Sequence, residues 1–293
     1  MRFDAYAATT AAVPADVLGN ILARFPSAWT DLAQPKYGYT HAQKLSYAGD
    51  TALLMHRNQE GVPETHVSVQ GLWSPALASA IRIDHPDHSV SRADVCIDLD
   101  QPGFFDWLTP IAIDLATAAG LKLSQAGNWL TPQGIAEGRT LYIGAPSSAY
   151  RIRIYEKGKK HINEGTDPDA SPDWTRLEVQ IRPAKDFKRS AATMEPSELF
   201  ATCKLATKLL TLITGHEVPH LAQIHHRRPA TDASVKFQHL THAYGRFVLM
   251  LIETVEPAEL ARLLRQQLAA PNRPDVLQAR HVPHDESAAP DSL

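Results

Sequence analysis

Over several short stretches apolar and polar residues alternate with a period of two, the pattern of strands that have one covered face. In SRADVCIDLD (Ser91 to Asp100), Ala93, Val95, Ile97 and Leu99 share one face; Arg92, Asp94, Cys96, Asp98 and Asp100 share the other. In WTRLEVQIR, Leu177, Val179 and Ile181 stand opposite Arg176, Glu178, Gln180 and Arg182. In YRIRIYEKG, Ile152, Ile154 and Glu156 stand opposite Arg151, Arg153, Tyr155 and Lys157. THVSVQG sets His66, Ser68 and Gln70 against Val67 and Val69. RFDAYAA and TALLMHR add two more strands, and GRTLYIGA pairs with AYRIRIYEKG as a hairpin across the short turn PSS.

A period near 3.6 marks helices in ADVLGNILARF, in SPALASAIRI with Pro75 at its first position, and in PGFFDWLTPIAIDLATAAG. Pro110 is expected to kink or divide the last of these, and Gly120 to cap it. KHINEGTDPDASP reads as a polar loop between strands. From Pro196 the pattern turns helical: SELFATCKLATKLLTLITG reads as one helix ending at Gly215, followed by helices in DASVKFQHLTHAYGRFVLMLIE and PAELARLLRQQL. The last two dozen residues lack periodicity and are expected to be disordered.

These elements predict an α+β fold, a central, mostly antiparallel sheet covered by helices, with a helical C-terminal part and a disordered tail. Residues 1–195 are expected to form the sheet domain, 196–270 a helical part packing on the same core, and 271–293 the tail. No internal sequence repeat is visible.

Composition narrows the function classes only a little. A chain of 293 residues can bury a large core, and it has no apolar run long enough to span a bilayer. The N-terminal segment lacks the apolar core of a signal peptide, so a cytoplasmic location is expected. Cys96 and Cys203 lie in apolar patterns and read as buried thiols rather than a disulfide or a zinc cluster. A net charge of −3 excludes a global basic field, so a nucleic-acid function must rest on local patches. RIRIYEKGKK, IRPAKDFKR and HHRRP, with Arg227 and Arg228, are such patches.

A polar strand face is ordinarily a solvated one. Here the residue types add a second reading, because Asp is a poor strand former and Asp94 and Asp98 sit mid-strand. Two or three carboxylates can hold a hard divalent cation such as Mg²⁺ or Mn²⁺ through oxygen. Beside that cation and Arg153, the phenol of Tyr155 would titrate below its usual value of about 10. A phenolate so formed attacks a phosphodiester and conserves the bond as a phosphotyrosine. Tyr142 is the competing nucleophile, though its neighbours lack cations, and Tyr150 is a weaker third. Glu156 points to the opposite face and reads as a salt bridge at the sheet edge. Spacing alone leaves the solvated face and the phosphoryl-transfer site both open.

Five segments in order carry a resemblance: HVSVQGLW, SRADVCIDLD, GRTLYIGAPSSAYRIRIYEKG, WTRLEVQIR and AYGRFVLMLIE. They resemble the replication initiation factors of the Rep_trans type, the rolling-circle initiators of small plasmids and phages. Related relaxases of integrative elements share the pattern. The segments span most of residues 35 to 255, and the hairpin with RLE is the most specific part.

The resemblance implies a metal-dependent enzyme, an endonuclease and strand transferase, that nicks and rejoins locally single-stranded DNA at an origin or transfer origin. Carried over, Tyr155 is the nucleophile that becomes attached to the 5′ end of the nick. Asp94 and Glu178 match the acidic metal positions for Mg²⁺ or Mn²⁺, with Asp98 as a third. Arg153 and Lys157 suit the scissile phosphate, and Arg151, Lys159, Lys160, Arg176, Arg182 and Ser148 are the expected DNA contacts. A host helicase and a second copy of the chain are the implied protein partners. Two departures stand out. No His-x-His occurs, which fits a metal held by carboxylates, and Ala145 replaces a serine of the hairpin motif, leaving Ser147 or Ser148 to substitute. The alternatives are a mobilising relaxase with the same chemistry, a non-catalytic DNA-binding regulator, and a hydrolase in which Tyr155 only positions substrate.

Overall fold

The strands signalled by alternation join one ten-stranded sheet in which every neighbouring pair is antiparallel. The computed structural model describes residues 1–59, 61–131, 137–221, 255, 256, 258, 259 and 262. The chain divides into two compact units, Met1–Arg227 and Arg228–Leu293. Of the second, Arg262 forms an ion pair with Glu259 at 2.6 Å. Several expectations fall outside the described residues: the helices after Leu221, the HHRRP patch, the AYGRFVLMLIE segment and the tail.

In chain order the elements of the first unit are β1 (Arg2–Thr10), α1 (Pro14–Arg24), β2 (Trp29–Leu32), β3 (His41–Tyr47), β4 (Asp50–Gln59), β5 (Val62–Gln70), α2 (Ser74–Asp84), β6 (Ser89–Asp100), α3 (Phe104–Ala118), β7 (Leu123–Ala126), β8 (Thr140–Ile143), β9 (Tyr150–Glu156), α4 (Lys157–Glu164), β10 (Trp174–Ile181), α5 (Phe187–Thr193), α6 (Pro196–Ala201) and α7 (Lys204–Thr214). The sheet order is β2-β3-β4-β5-β1-β6-β10-β9-β8-β7.

Alternation decides which face is covered. Val95, Ile152, Ile154, Leu177, Val179 and Ile181 of the central strands are buried in one core with Leu108 and Ala112 of α3, Phe187 of α5, Phe200 of α6 and Leu209 of α7. Each such side chain contributes about 1.5–3 kcal/mol by leaving water. Cys96 and Cys203 are buried free thiols. Among the described residues no helix is long and apolar enough to cross a membrane.

Four local readings change. Helix α3 runs through Pro110, which lies on its exposed side. The helix expected from Ser197 to Gly215 is two helices, because Cys203 takes an extended conformation and Thr202 turns its hydroxyl onto the Leu199 carbonyl at 2.6 Å. Helix α4 takes in Lys157 and Gly158, expected to end a strand, and Lys160–Glu164, expected to open a polar loop, and Gly165 ends it in the left-handed conformation. A repeat is also present, in topology rather than in sequence. Strands β1 to β5 and β6 to β10 wind alike, the first strand of each set lying beside its last.

Two glycines of the hairpin motif have steric reasons to be glycine. Gly144, at φ 96°, brings its Cα so near the Tyr150 carbonyl that a Cβ would lie 2.7 Å from it. Gly158 seats α4 against the loop before β10, where a Cβ would meet the Ser171 carbonyl oxygen at 1.7 Å. Gly158→Ala is therefore expected to cost about 2 kcal/mol or more, from overpacking against backbone that cannot rotate away. Thermal unfolding checks this; an unchanged Tm would mean the 171–174 loop yields freely.

Candidate active site

Register places the polar-face residues in rows across three strands. Arg153 lies opposite Glu178, Tyr155 opposite Arg176 and Arg151 opposite Gln180. Gln180 then lies opposite Asp94, and Arg176 opposite Asp98.

Asp94 is 1% exposed and Glu178 0%. Two buried carboxylates on neighbouring strands need positive charge, and arginines provide it. Arg92 forks onto Asp94, Nε to Oδ1 at 2.8 Å and Nη2 to Oδ2 at 2.5 Å. Arg153 sits between the carboxylates: Nη2 pairs with Glu178 Oε1 and lies 3.7 Å from Asp94 Oδ2. Tyr155 is buried, and its Oη donates to Glu178 Oε2 at 3.3 Å. The Arg153 guanidinium and the Lys157 ammonium lie 5.7 and 5.9 Å from the centre of the Tyr155 ring.

Burial pushes the Tyr155 phenol up, and the Glu178 carboxylate adds to it. Arg176 and Arg153 pull it down without overcoming burial. Burial also pushes the Glu178 carboxyl up to about 7, with Asp94 adding and Arg153 opposing. Burial lowers the Lys157 ammonium as well, helped by Arg176. The neighbourhood thus holds a buried phenol bonded to a carboxyl that burial raises.

A divalent cation was expected on Asp94, Glu178 and Asp98. Among the described residues no group of three or more acidic, His or Cys side chains converges on one point. The first two nevertheless suit such an ion: they are hard oxygen donors, side by side, and Mg²⁺ commonly takes only one or two carboxylates. Burial raises the Glu178 carboxyl, and Arg153 opposes it. Asp98 stands apart from them. Arg176 holds both its oxygens, Nε to Oδ1 at 2.6 Å and Nη2 to Oδ2 at 2.9 Å, and the Trp174 indole donates to Oδ1 at 2.8 Å.

The expected DNA contacts separate in the same way. Arg176 is 1% exposed, its third nitrogen bound to Asp4 at 2.6 Å, so it braces β10 to β6 and β1. Arg151 lies over the Tyr142 ring, 4.1 Å from its centre. Arg151 and Arg153 each keep a buried Nε–H with no acceptor. Ser148 Oγ accepts from the Ala145 backbone at 3.1 Å, and Arg182 donates to the Ser148 carbonyl at 3.4 Å. Lys159 pairs with Glu156 at 2.6 Å, while Lys160 is exposed, 3.8 Å from Glu164. Arg92, Arg2 and Asp4 were given no role in the sequence, although RFD and RAD both place an arginine two residues before an aspartate on one strand face.

Residues 116–211 match the model of the replication initiation factor family. That stretch contains Arg153, Tyr155 and Glu178; Asp94 lies before it. The chain also overlaps the solved structure of a rolling circle replication initiator protein from Geobacillus stearothermophilus, at 18% identity over 76% of this chain and 98% of that one, with a TM-score of 0.47. None of the curated protein sequences compared matches the chain.

Glu156 forms an ion pair, as its position suggested, but in the interior rather than at an edge, since β8 and β10 flank β9. Arg139 binds it bidentately at 2.9 Å and donates its backbone N–H at 2.8 Å. Burial opposes ionisation of Glu156, and hydrogen bonds from Arg139 and Lys159 outweigh it, holding the carboxyl below its usual range. The stability from this group is therefore present above the unfolded carboxylate value and is lost as pH falls through the lower folded value. Glu156→Gln is expected to cost about 2 kcal/mol at pH 7, since it leaves the buried Arg139 with only its pair to the exposed Asp106 at 2.8 Å. The gap between variant and wild-type Tm should close below about pH 4; a pH-independent gap would assign the loss to packing.

Proposed function

We propose that the chain is a rolling-circle replication initiator that nicks and rejoins a single DNA strand through Tyr155. One observation carries the reading. Tyr155, Arg153 and Glu178 meet beside Asp94 on neighbouring strands, and the first three lie inside the segment that matches the replication initiation factors.

In this mechanism the Tyr155 oxygen attacks the scissile phosphorus in line. The Oη–P bond forms, the bond from phosphorus to the 3′ oxygen breaks, and the departing 3′ oxygen takes a proton from water to become a hydroxyl. The Tyr155 proton passes to Glu178 Oε2, the atom it already bonds. Religation runs the path backwards: the 3′-hydroxyl gives its proton to water as it attacks the phosphotyrosine, and Glu178 returns the first proton to the phenol. The unpaired Nε–H groups of Arg151 and Arg153 are donors for the non-bridging phosphate oxygens. Asp94 and Glu178 are the residues that would hold Mg²⁺ or Mn²⁺, which when bound draws charge from the phosphate. Arg92 and Gln180 fix Asp94 for that role.

A suicide oligonucleotide carrying the nick site, incubated with Mn²⁺, is expected to give a covalent protein–DNA adduct. Tyr155→Phe should abolish the adduct, while Tyr142→Phe keeps it. Asp94→Asn should slow its formation by about two orders of magnitude. An adduct surviving in Tyr155→Phe would move the nucleophile to another tyrosine, and cleavage without any adduct would make water the nucleophile.

A further inference from the structure

Half of the sheet carries the site, and the other half repeats its frame. The β1–β6 pairing has a local two-fold. Ala7 opposite Arg92 is answered by Cys96 opposite Arg2, and Tyr6 opposite Ala93 by Val95 opposite Phe3, with Ala5 and Asp94 facing each other at the centre. The same operation lays β5 on β10. Ser68 faces Ala7 as Glu178 faces Cys96, and His66 faces Thr9 as Arg176 faces Asp98. The sequences then align as THVSVQ on TRLEVQ. Strand β4 falls on β9, with Met55 opposite His66 where Tyr155 is opposite Arg176, and Leu53 opposite Ser68 where Arg153 is opposite Glu178. Even the Asp98–Arg176 pair has a counterpart, the hydrogen bond of Thr9 Oγ1 with His66 Nδ1 at 3.1 Å.

In the first half the nucleophile's place is thus held by Met55, the arginine's by Leu53 and the glutamate's by Ser68. None of these can run the reaction. The same face nonetheless opens there into a cleft of about 1000 Å³. Lys36, Lys44, Arg57, Arg92, Arg182 and Lys188 line it, against one carboxylate among the lining residues, Glu64. That carboxylate is engaged by Arg57 at 2.8 Å and by the Tyr39 hydroxyl at 2.8 Å. Tyr37, 83% exposed, adds an open aromatic face, while the Tyr39 ring is already packed by Arg57 and His66. Tyr37 is also held at φ 57°, a conformation non-glycine residues rarely adopt. Cations beside an open aromatic ring are the chemistry that recognises an unpaired nucleic-acid strand, through backbone charge and base stacking. The cleft runs into the site: Arg92 lines it and chelates Asp94, and Ala5 lines it and faces Asp94 across the strands.

We propose that the first half of the sheet is a catalytically emptied duplicate of the second, and that its cleft is the track holding the unpaired DNA strand that leads to Tyr155. This rests on the nicking reading for what happens at the end of the track; the cation and tyrosine wall is tested apart from it.

The test uses the full chain and a fluorescein-labelled single strand of mixed sequence, read by anisotropy over a salt series. Lys36→Glu with Lys44→Glu is expected to weaken binding about tenfold or more. Lys36→Ala with Lys44→Ala should lower the slope of log K against log salt by about 1.4, two single-strand phosphate contacts. Tyr37→Ala should weaken binding with the slope unchanged, since stacking releases no counterions. Lys204→Ala with Lys208→Ala, exposed on α7, should bind as wild type. Wild-type affinity and slope in the Lys36 and Lys44 variants would overturn the track. So would an equal loss for a duplex of the same sequence, which would assign the cleft to duplex DNA. The adduct assay on the same variants separates the two readings. If wild type forms no adduct but the lysine variants lose the single strand, nicking falls and the track stands. If the adduct forms and the variants bind undiminished, the track falls and nicking stands.

Discussion

Every carboxylate on the polar face near the site is held by an arginine from its own or a neighbouring strand, and the arrangement of the site follows from that constraint. Asp94 is forked by Arg92, Glu178 is paired with Arg153, and Asp98 and Asp4 share Arg176. Ionised groups this deeply buried are tolerated only when paired, and removing one member leaves a charge with nowhere to go. The lattice joins β1, β6, β9 and β10 through side chains as well as through the backbone ladder. It fixes Tyr155 between two salt-bridged groups and aims its hydroxyl at one oxygen.

The same lattice explains an apparent contradiction in the electrostatics. Cations surround Tyr155 and draw its phenol down, yet it titrates high, because burial and the Glu178 carboxylate outweigh them. Tyr155 is held as a phenol, its proton directed to Glu178. In the proposed reaction this geometry favours activation by proton transfer at a defined atom over a standing phenolate.

The parts of this arrangement legible in the sequence were those governed by period two. The covered faces of β5, β6, β9 and β10 could be read off directly, and so could the placement of Asp94, Tyr155 and Glu178 on polar faces. Strands β2 and β7 could not, because an edge strand exposed on both sides has no alternation to show. Helix α4 hid behind a run of lysines and a glycine that read as a strand end and a loop, its fold depending on a close approach to Ser171 that is remote in sequence. Cross-strand partners were also invisible, since register is a property of the assembled sheet. That is why Asp98 was grouped with Asp94, its neighbour on the same strand face, when Arg176 holds it apart. The duplication escaped notice for a related reason: THVSVQ and TRLEVQ share only scattered identities, and the likeness is carried by topology.

Doubling a five-stranded unit about a central pair has a further consequence, for the two outer rims. Both ends of the sheet become the same strand of the repeat, β2 at one end and β7 at the other. Each is four residues long. A broad, flat sheet with long free margins would offer rows of unpaired N–H and C=O groups to any passing chain. By ending in two such stubs, this one offers little purchase for strand-to-strand growth, although Leu32 at one rim is 93% exposed. A single truncation, inherited twice, guards both margins against polymerisation.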